Sequence, residues 1–174
     1  DKVSIRNFRS YYGDNEFEFK DGLTLIIGDN GDGKTTFFEA LEWLFNTAQT
    51  EDKTERIVSA KRKKELYDAE KDSVCVTMYF KSDDDSEKIV EKSIDFARNG
   101  DNITMSNFQF NGYDCIGSER VLRSGKQMLD ACFDSYMRRY CLFKGENNLN
   151  VFDDDNALQT LVEKFSDIRE FDSY

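Results

Sequence analysis

Residues 28–36 read GDNGDGKTT, and their types and spacing are those of a loop that binds phosphate. Gly28 is followed by Asp29, Asn30, Gly31 and Asp32, then by Gly33, Lys34 and Thr35, with Thr36 next. That is the pattern G-x-x-x-x-G-K-[ST]. Glycines let the backbone curl so that successive N–H groups face phosphate oxygens. A helix starting at Lys34 adds the positive end of its dipole. The Lys34 ammonium suits β- and γ-phosphates, and the Thr35 hydroxyl suits Mg²⁺. The predicted ligands are ATP and Mg²⁺. Asp29 and Asp32 should repel phosphate, but the pattern fixes no side chain at either position. Both carboxylates are expected to point to water while their amides face the ligand.

A true phosphate loop needs a strand before it and a helix after it. The run LTLII, residues 23–27, predicts a strand buried on both faces. Residues 35–46 lack glycine and place apolar groups at 37, 38, 41, 44 and 45, which predicts a helix buried over most of its circumference. An ordinary glycine turn, the competing reading, requires neither flank. Upstream, KVSIRNF predicts a strand carrying Val3, Ile5 and Phe8, and a short strand follows at residues 17–19.

Downstream, residues 51–70 are charged and favour helix, with Ile57, Val58, Leu66 and Tyr67 as anchors. The runs SVCVTMYF, KIVEKSIDF and NITMSNFQF predict an antiparallel meander, its second turn marked by Asn99-Gly100. Residues 118–133 read as helix. RRYCLF, from Arg138, reads as a buried strand that KGENN leaves as a loop. NALQTLVEKFSDIREF then places Leu158, Leu161, Val162, Phe165 and Ile168 on one helix face, behind the acidic run at Asp153, Asp154 and Asp155. The chain stops there without a capping glycine, as if cut in mid-architecture.

Composition narrows the classes. The chain has 174 residues, 39% of them hydrophobic, enough for one well-cored domain. There is no histidine, which excludes Ser–His and Cys–His catalysis. Cys75, Cys115, Cys132 and Cys141 lack metal or redox spacing and read as small buried apolar residues. No apolar run reaches the roughly 20 residues of a membrane helix, and no signal peptide is visible, so a cytoplasmic protein is expected. The net charge of −11 opposes DNA binding except where bases cluster. The dense cluster is KRKK, Lys61 to Lys64, either a solvated face or a nucleic-acid contact.

The stretches NFRSY, from Asn7, and GLTLIIGDNGDGKTTFFEALEWLF, from Gly22, resemble the N-terminal lobe of the SMC, SbcC, RecF and RecN group of ABC-type ATPases. The order of the later elements is similar too. The resemblance implies an α/β P-loop NTPase fold of ABC-ATPase type, with a mixed sheet and an antiparallel β meander. It implies an ATPase lobe over residues 1–155 and the root of a coiled-coil helix over 156–174. In that group the C-terminal lobe of the same protein and a second head complete the site, and the assembly acts on DNA in repair, maintenance or genome defence. A nuclease subunit is a further partner that the resemblance admits without requiring. Arg9 resembles a basic residue that lies near the nucleotide.

One departure matters. The loop after the YCLF strand usually carries a glutamine that touches Mg²⁺ and positions water, and here Lys144 stands in its place. Either Lys144 replaces it, or Glu146 or Asn147 takes the role, or the alignment slips. RSGKQ (from Arg123) and LNVFDDD (from Leu149) imitate the other two ABC motifs. If both were real, the chain would be a compact, complete ATPase. Lys126 replaces a glycine that must approach phosphate closely, and Asn150 interrupts the supposed buried strand, so both read as imitations. A nucleotide-binding regulatory or scaffold module without turnover is the main alternative. A small-molecule kinase fits the loop but not the meander.

Overall fold

The computed structural model describes residues 1–46, 52–82, 85–117, 119–133 and 138. The chain divides into two compact units, Asp1–Cys132 and Phe133–Tyr174, and nearly all described residues lie in the first. The expected strand from Arg138, the loop carrying Lys144 and Glu146, the acidic run and the final helix lie outside the described residues.

Among the described residues the frame is a six-stranded sheet. Its strands are β1 (Lys2–Arg6), β2 (Asp14–Glu18), β3 (Lys71–Lys81), β4 (Glu87–Asn99), β5 (Asn102–Ile116) and β6 (Glu119–Ser124), in the order β2-β1-β3-β4-β5-β6. Every pairing among them is antiparallel. Alternation explains β3 and β4. Val74, Val76, Met78 and Phe80 are buried on β3, and Val90, Ile94 and Phe96 on β4. Asn99 pairs with Asn102 across a two-residue turn in which Gly100 has φ 60°, the tight hairpin that the sequence predicts.

Among the described residues there are three α-helices, in chain order α1 (Lys34–Phe45), α2 (Ala60–Glu65) and α3 (Gly125–Cys132). The helix α1 buries Phe37, Ala40, Trp43, Leu44 and Phe45. At its front, Phe37 meets Phe17 edge-on at 4.8 Å between centroids, and at its back Trp43 lies 5.7 Å from Phe8. Between α1 and α2, a 3-10 turn at Glu55–Ile57 buries Ile57.

The structure corrects several expectations. Residues 23–27 form no strand and are exposed, with Leu23 at 95% and Ile27 at 82%. Apolar side chains do not make a strand by themselves; the backbone needs a partner for its N–H and C=O groups, and no described strand lies beside it. Residues 119–124 are strand rather than helix, because β5 runs on to Ile116 and offers its edge. Tyr67 is exposed, while Ile57, Val58 and Leu66 are buried as expected. Cys75, Cys115 and Cys132 are half-buried rather than buried. Burial still pushes the Cys75 thiol up to about 11.

Two polar arrangements hold the layers together. Lys92 lies on the apolar face of β4 and is fully buried. Its Nζ donates to the Trp43 carbonyl at 2.7 Å and to Asn46 Oδ1 at the end of α1, so a cation sits where the helix dipole is negative. The rings of Trp43, Phe108 and Phe110 surround it at 5.0, 5.6 and 5.2 Å. Elsewhere, Asp72 on β3 accepts from Arg62 Nε at 2.5 Å and from Arg6 Nη2 at 3.1 Å, and Arg62 also reaches Glu70 at 2.7 Å. Burial would raise the Asp72 carboxyl, but the bonds from Arg62 and the Ser73 N–H, with the charges of Arg6 and Arg62, hold it below the usual range.

Replacing Lys92 with alanine takes its buried donor from Asn46 Oδ1 and leaves the Trp43 carbonyl only the longer bond from the Asn46 N–H, at 3.4 Å. The expected loss is about 3 kcal/mol in urea unfolding, against less than about 0.5 for Lys64→Ala. Asp72→Asn should cost about 1–3 kcal/mol at neutral pH. Because the folded-state pKa is lowered, that stabilisation is complete above the ordinary aspartate value and is lost as pH falls through the lowered one. Wild type and Asp72→Asn should therefore converge in unfolding series taken to acid pH.

Candidate phosphate-binding site

The start of α1 is built by the loop between β1 and β2, residues 7–13. Asn7, 1% exposed with φ 52°, organises that loop. Its Oδ1 accepts from the Gly13 N–H at 3.0 Å, and its Nδ2 donates to the Ser73 carbonyl at 3.1 Å. The Arg9 N–H donates to the Ile57 carbonyl at 2.7 Å. Thus anchored, the loop presents Ser10 and Tyr11 to Gly33. The Tyr11 hydroxyl donates to the Gly33 carbonyl at 3.1 Å, and the Tyr11 ring packs edge-on to Phe17 at 5.6 Å. Burial raises the Tyr11 phenol, which keeps it a donor.

Gly33 is the N-cap of α1, in left-handed conformation at φ 92°. A Cβ there would lie 3.1 Å from Ser10 Oγ and 3.4 Å from the Tyr11 ring. A glycine cap brings no side-chain acceptor, and the first turn of α1 carries no acid. The N–H groups of that turn therefore remain available to an external anion. Lys34 folds back, and its Nζ donates to the carbonyls of Gly28 and Asp29, each at 2.6 Å. Thr35 is exposed and Thr36 half-buried. Gly31 also has positive φ, 100°. The donor set fits a triphosphate. One exposed hydroxyl fits Mg²⁺, which keeps several waters and takes few protein ligands.

Two expectations about charges need correction. Asp32 does not simply point to water: its Oδ2 accepts from the Asp29 N–H at 2.6 Å. The Asp29 carboxylate takes no amide of the loop. The KRKK run lies on α2 with Lys61 and Lys64 exposed, as a solvated face requires, but it is not a uniform basic surface. Arg62 turns inward to Asp72 and Glu70, Lys61 lies 4.1 Å from the centre of the Tyr12 ring, and Lys63 donates to the Glu55 carbonyl at 3.1 Å. Arg9 sits beside α1, paired with Glu39 at 2.6 Å. The RSGKQ stretch spans the end of β6 and the start of α3, where Ser124 Oγ accepts from the Gln127 N–H at 3.4 Å. A Cβ on Gly125 would strike Phe110 at 2.6 Å, so this glycine serves close packing.

Sequence reasoning missed the parts played by Tyr11, Ser10 and Glu39. The signal for Tyr11 was its place in NFRSY, but nothing in the sequence showed which backbone atom it would meet.

A family model described as an AAA domain matches residues 2–173. The chain belongs to this AAA domain family. The DNA replication and repair protein RecF of Tropheryma whipplei is 41% identical over 69 residues, covering 37% of this chain and 18% of that protein. RecF of Streptococcus uberis is 40% identical over 55 residues, 32% of the chain and 15% of the relative. The chromosome partition protein Smc of Rhodopirellula baltica is 31% identical over 45 residues, 26% of the chain and 4% of the relative. The chain thus spans less than a fifth of the curated relatives it matches. A solved structure from work on ATP-driven dimerization and DNA-stimulated activation of SMC ATPases aligns with a TM-score of 0.54 at 16% identity, over 95% of this chain and 98% of that one. Within the AAA domain family, the chain is similar in its matched stretches to RecF and Smc and in fold to an SMC ATPase structure.

Tyr11→Phe removes one hydrogen bond to the loop and keeps the ring contacts. It should weaken ATP–Mg²⁺ binding about fivefold by calorimetry while barely moving the melting temperature. Gly33→Ala forces a side chain into left-handed backbone at a cost of about 1–2 kcal/mol and meets Ser10. It should lose most of the binding.

Proposed function

We propose that this chain binds ATP–Mg²⁺ as the N-terminal lobe of an SMC/RecF-like ATPase head that serves DNA repair, maintenance or genome defence in the cytoplasm. The observation that carries the reading is the glycine-capped start of α1, with Lys34 beside the loop carbonyls, in a chain matched by its family model almost end to end. Residues 28–36 cradle the phosphates through their amides. Lys34 neutralises the β- and γ-phosphates, Thr35 offers its hydroxyl to Mg²⁺, and Arg9 lies close enough to α1 to respond to the nucleotide.

Hydrolysis requires more than this lobe. Charge develops around the whole transferred phosphate, so donors and a water-activating group must surround it. Lys144 and Glu146 are the proposed contributors from this chain. A charged lysine cannot ligate a metal, which directs Lys144 to phosphate and Glu146 to a metal-bound water. The C-terminal lobe and a second head would supply the rest. The exposed aliphatic side chains of Leu23, Leu25, Ile26 and Ile27 support a covering lobe beside the loop. We assign residues 1–155 to the ATPase lobe and 156–174 to a helix leading toward a coiled coil. Lys144, in the place of the usual glutamine, keeps one alternative open: a module that binds nucleotide without turning it over. Single-turnover hydrolysis with the C-terminal lobe present separates the two.

Lys34→Ala and Thr35→Ala should each weaken ATP–Mg²⁺ binding at least about tenfold, a loss of about 1.4 kcal/mol, without lowering the melting temperature. Unchanged affinity in both defeats the assignment. The 174-residue chain alone should show negligible steady-state ATPase activity. It should bind duplex DNA weakly and with steep salt dependence, since its net charge is −11 and Arg62 of its basic run is tied to Asp72 and Glu70.

A further inference from the structure

The phosphate loop carries an anion of its own. Asp32 Oδ2 accepts the Asp29 N–H at 2.6 Å, while the Asp32 N–H donates to the Asp29 carbonyl at 3.2 Å. Residues 29 and 32 are clasped in both directions. The same Asp29 carbonyl and that of Gly28 hold Lys34 Nζ. A Cβ on Gly28 would lie 2.9 Å from Asp32 Oδ2, so the carboxylate fills the space above the first glycine of the loop. An amide of the loop is thereby capped by a carboxylate, and the loop's ammonium is turned onto loop carbonyls.

We propose that Asp32 is a built-in competitor for the phosphate, whose carboxylate must leave the Asp29 amide before the loop closes on nucleotide. The inference rests on the reading of this loop as an ATP site. A carboxylate oxygen and a phosphate oxygen are both strong acceptors for one N–H, and only one can hold it. The carboxylate stays covalently tethered a few residues away, so its effective concentration at that amide is high. Apparent affinity then falls by the fraction of loops in which the amide is free. The loop keeps a set shape without nucleotide and releases it more readily. Asp29 is the internal comparison: it brings the same charge to the same loop but takes none of its amides.

The test compares Asp32→Ala, Asp29→Ala and Lys34→Ala in the intact protein by calorimetry with ATP–Mg²⁺. Both aspartate variants remove one negative charge, but only Asp32→Ala frees an amide. Asp32→Ala should bind about fivefold more tightly than wild type, the scale of one hydrogen bond. Asp29→Ala should gain less than about twofold, the effect of charge alone at an exposed site. Hydrogen exchange supplies a readout without ligand: the Asp29 amide should be protected in wild type and exchange faster in Asp32→Ala. The proposal is overturned by an Asp32→Ala affinity no tighter than wild type, by an equal gain in Asp29→Ala, or by an Asp29 amide equally fast in both proteins. If Lys34→Ala also binds like wild type, the ATP reading falls with it. If Lys34→Ala loses binding while Asp32→Ala gains none, the competitor alone is wrong.

Discussion

The seating of α1 is the constraint on which the phosphate loop depends. A helix N-terminus can serve an anion only if its axis and first turn are held still, and this helix is fixed at both ends. At the front, Phe37 meets Phe17 and Gly33 is pressed against Ser10 and Tyr11. At the back, Trp43 lies against Phe8, and Lys92 from β4 donates to the Trp43 carbonyl and to Asn46 Oδ1. A buried lysine is costly without partners. Here it has a carbonyl, an amide oxygen and three ring faces, and it complements the negative end of the dipole. One residue of the meander thereby reaches the same helix whose other end begins at a glycine cap without a side-chain acceptor.

Charge in this chain is spent on architecture. An acidic protein with a run of four bases invites an electrostatic reading of that run, but Arg62 ties α2 to β3 through Asp72 and Glu70. Arg6 closes the same network from β1, and Arg9 pairs with α1. Such pairs orient elements more than they stabilise them, since partly exposed ion pairs contribute little. The half-buried Asp72 is the exception, because removing it would leave two arginines without their shared acceptor.

The loop is supported unevenly. Its helical side rests on the loop formed by residues 7–13, through Tyr11 and the close approach at Gly33. Its other side continues into residues 23–27, whose aliphatic side chains lie open. Such a loop can keep its shape by internal bonds, and those between Asp29, Asp32 and Lys34 are of that kind.

Much of this was legible in the chain itself. The pattern at Gly28, Gly33, Lys34 and Thr35 is local chemistry, and so is the run that makes α1. The alternation of β3 and β4 and the Asn99-Gly100 turn are likewise short-range signals. What sequence alone misread depends on partners distant in the chain. Residues 23–27 have the composition of a buried strand but no described partner, and residues 119–124 became strand because β5 extended beside them. Arg62 read as part of an exposed basic run until the fold brought Asp72 to it, and only the fold brought Trp43 to Lys92. The tertiary structure alone decided where Asp32 and Tyr11 point. Periodicity records which face a residue occupies, whereas a hydrogen bond depends on atoms that only folding brings within 3 Å.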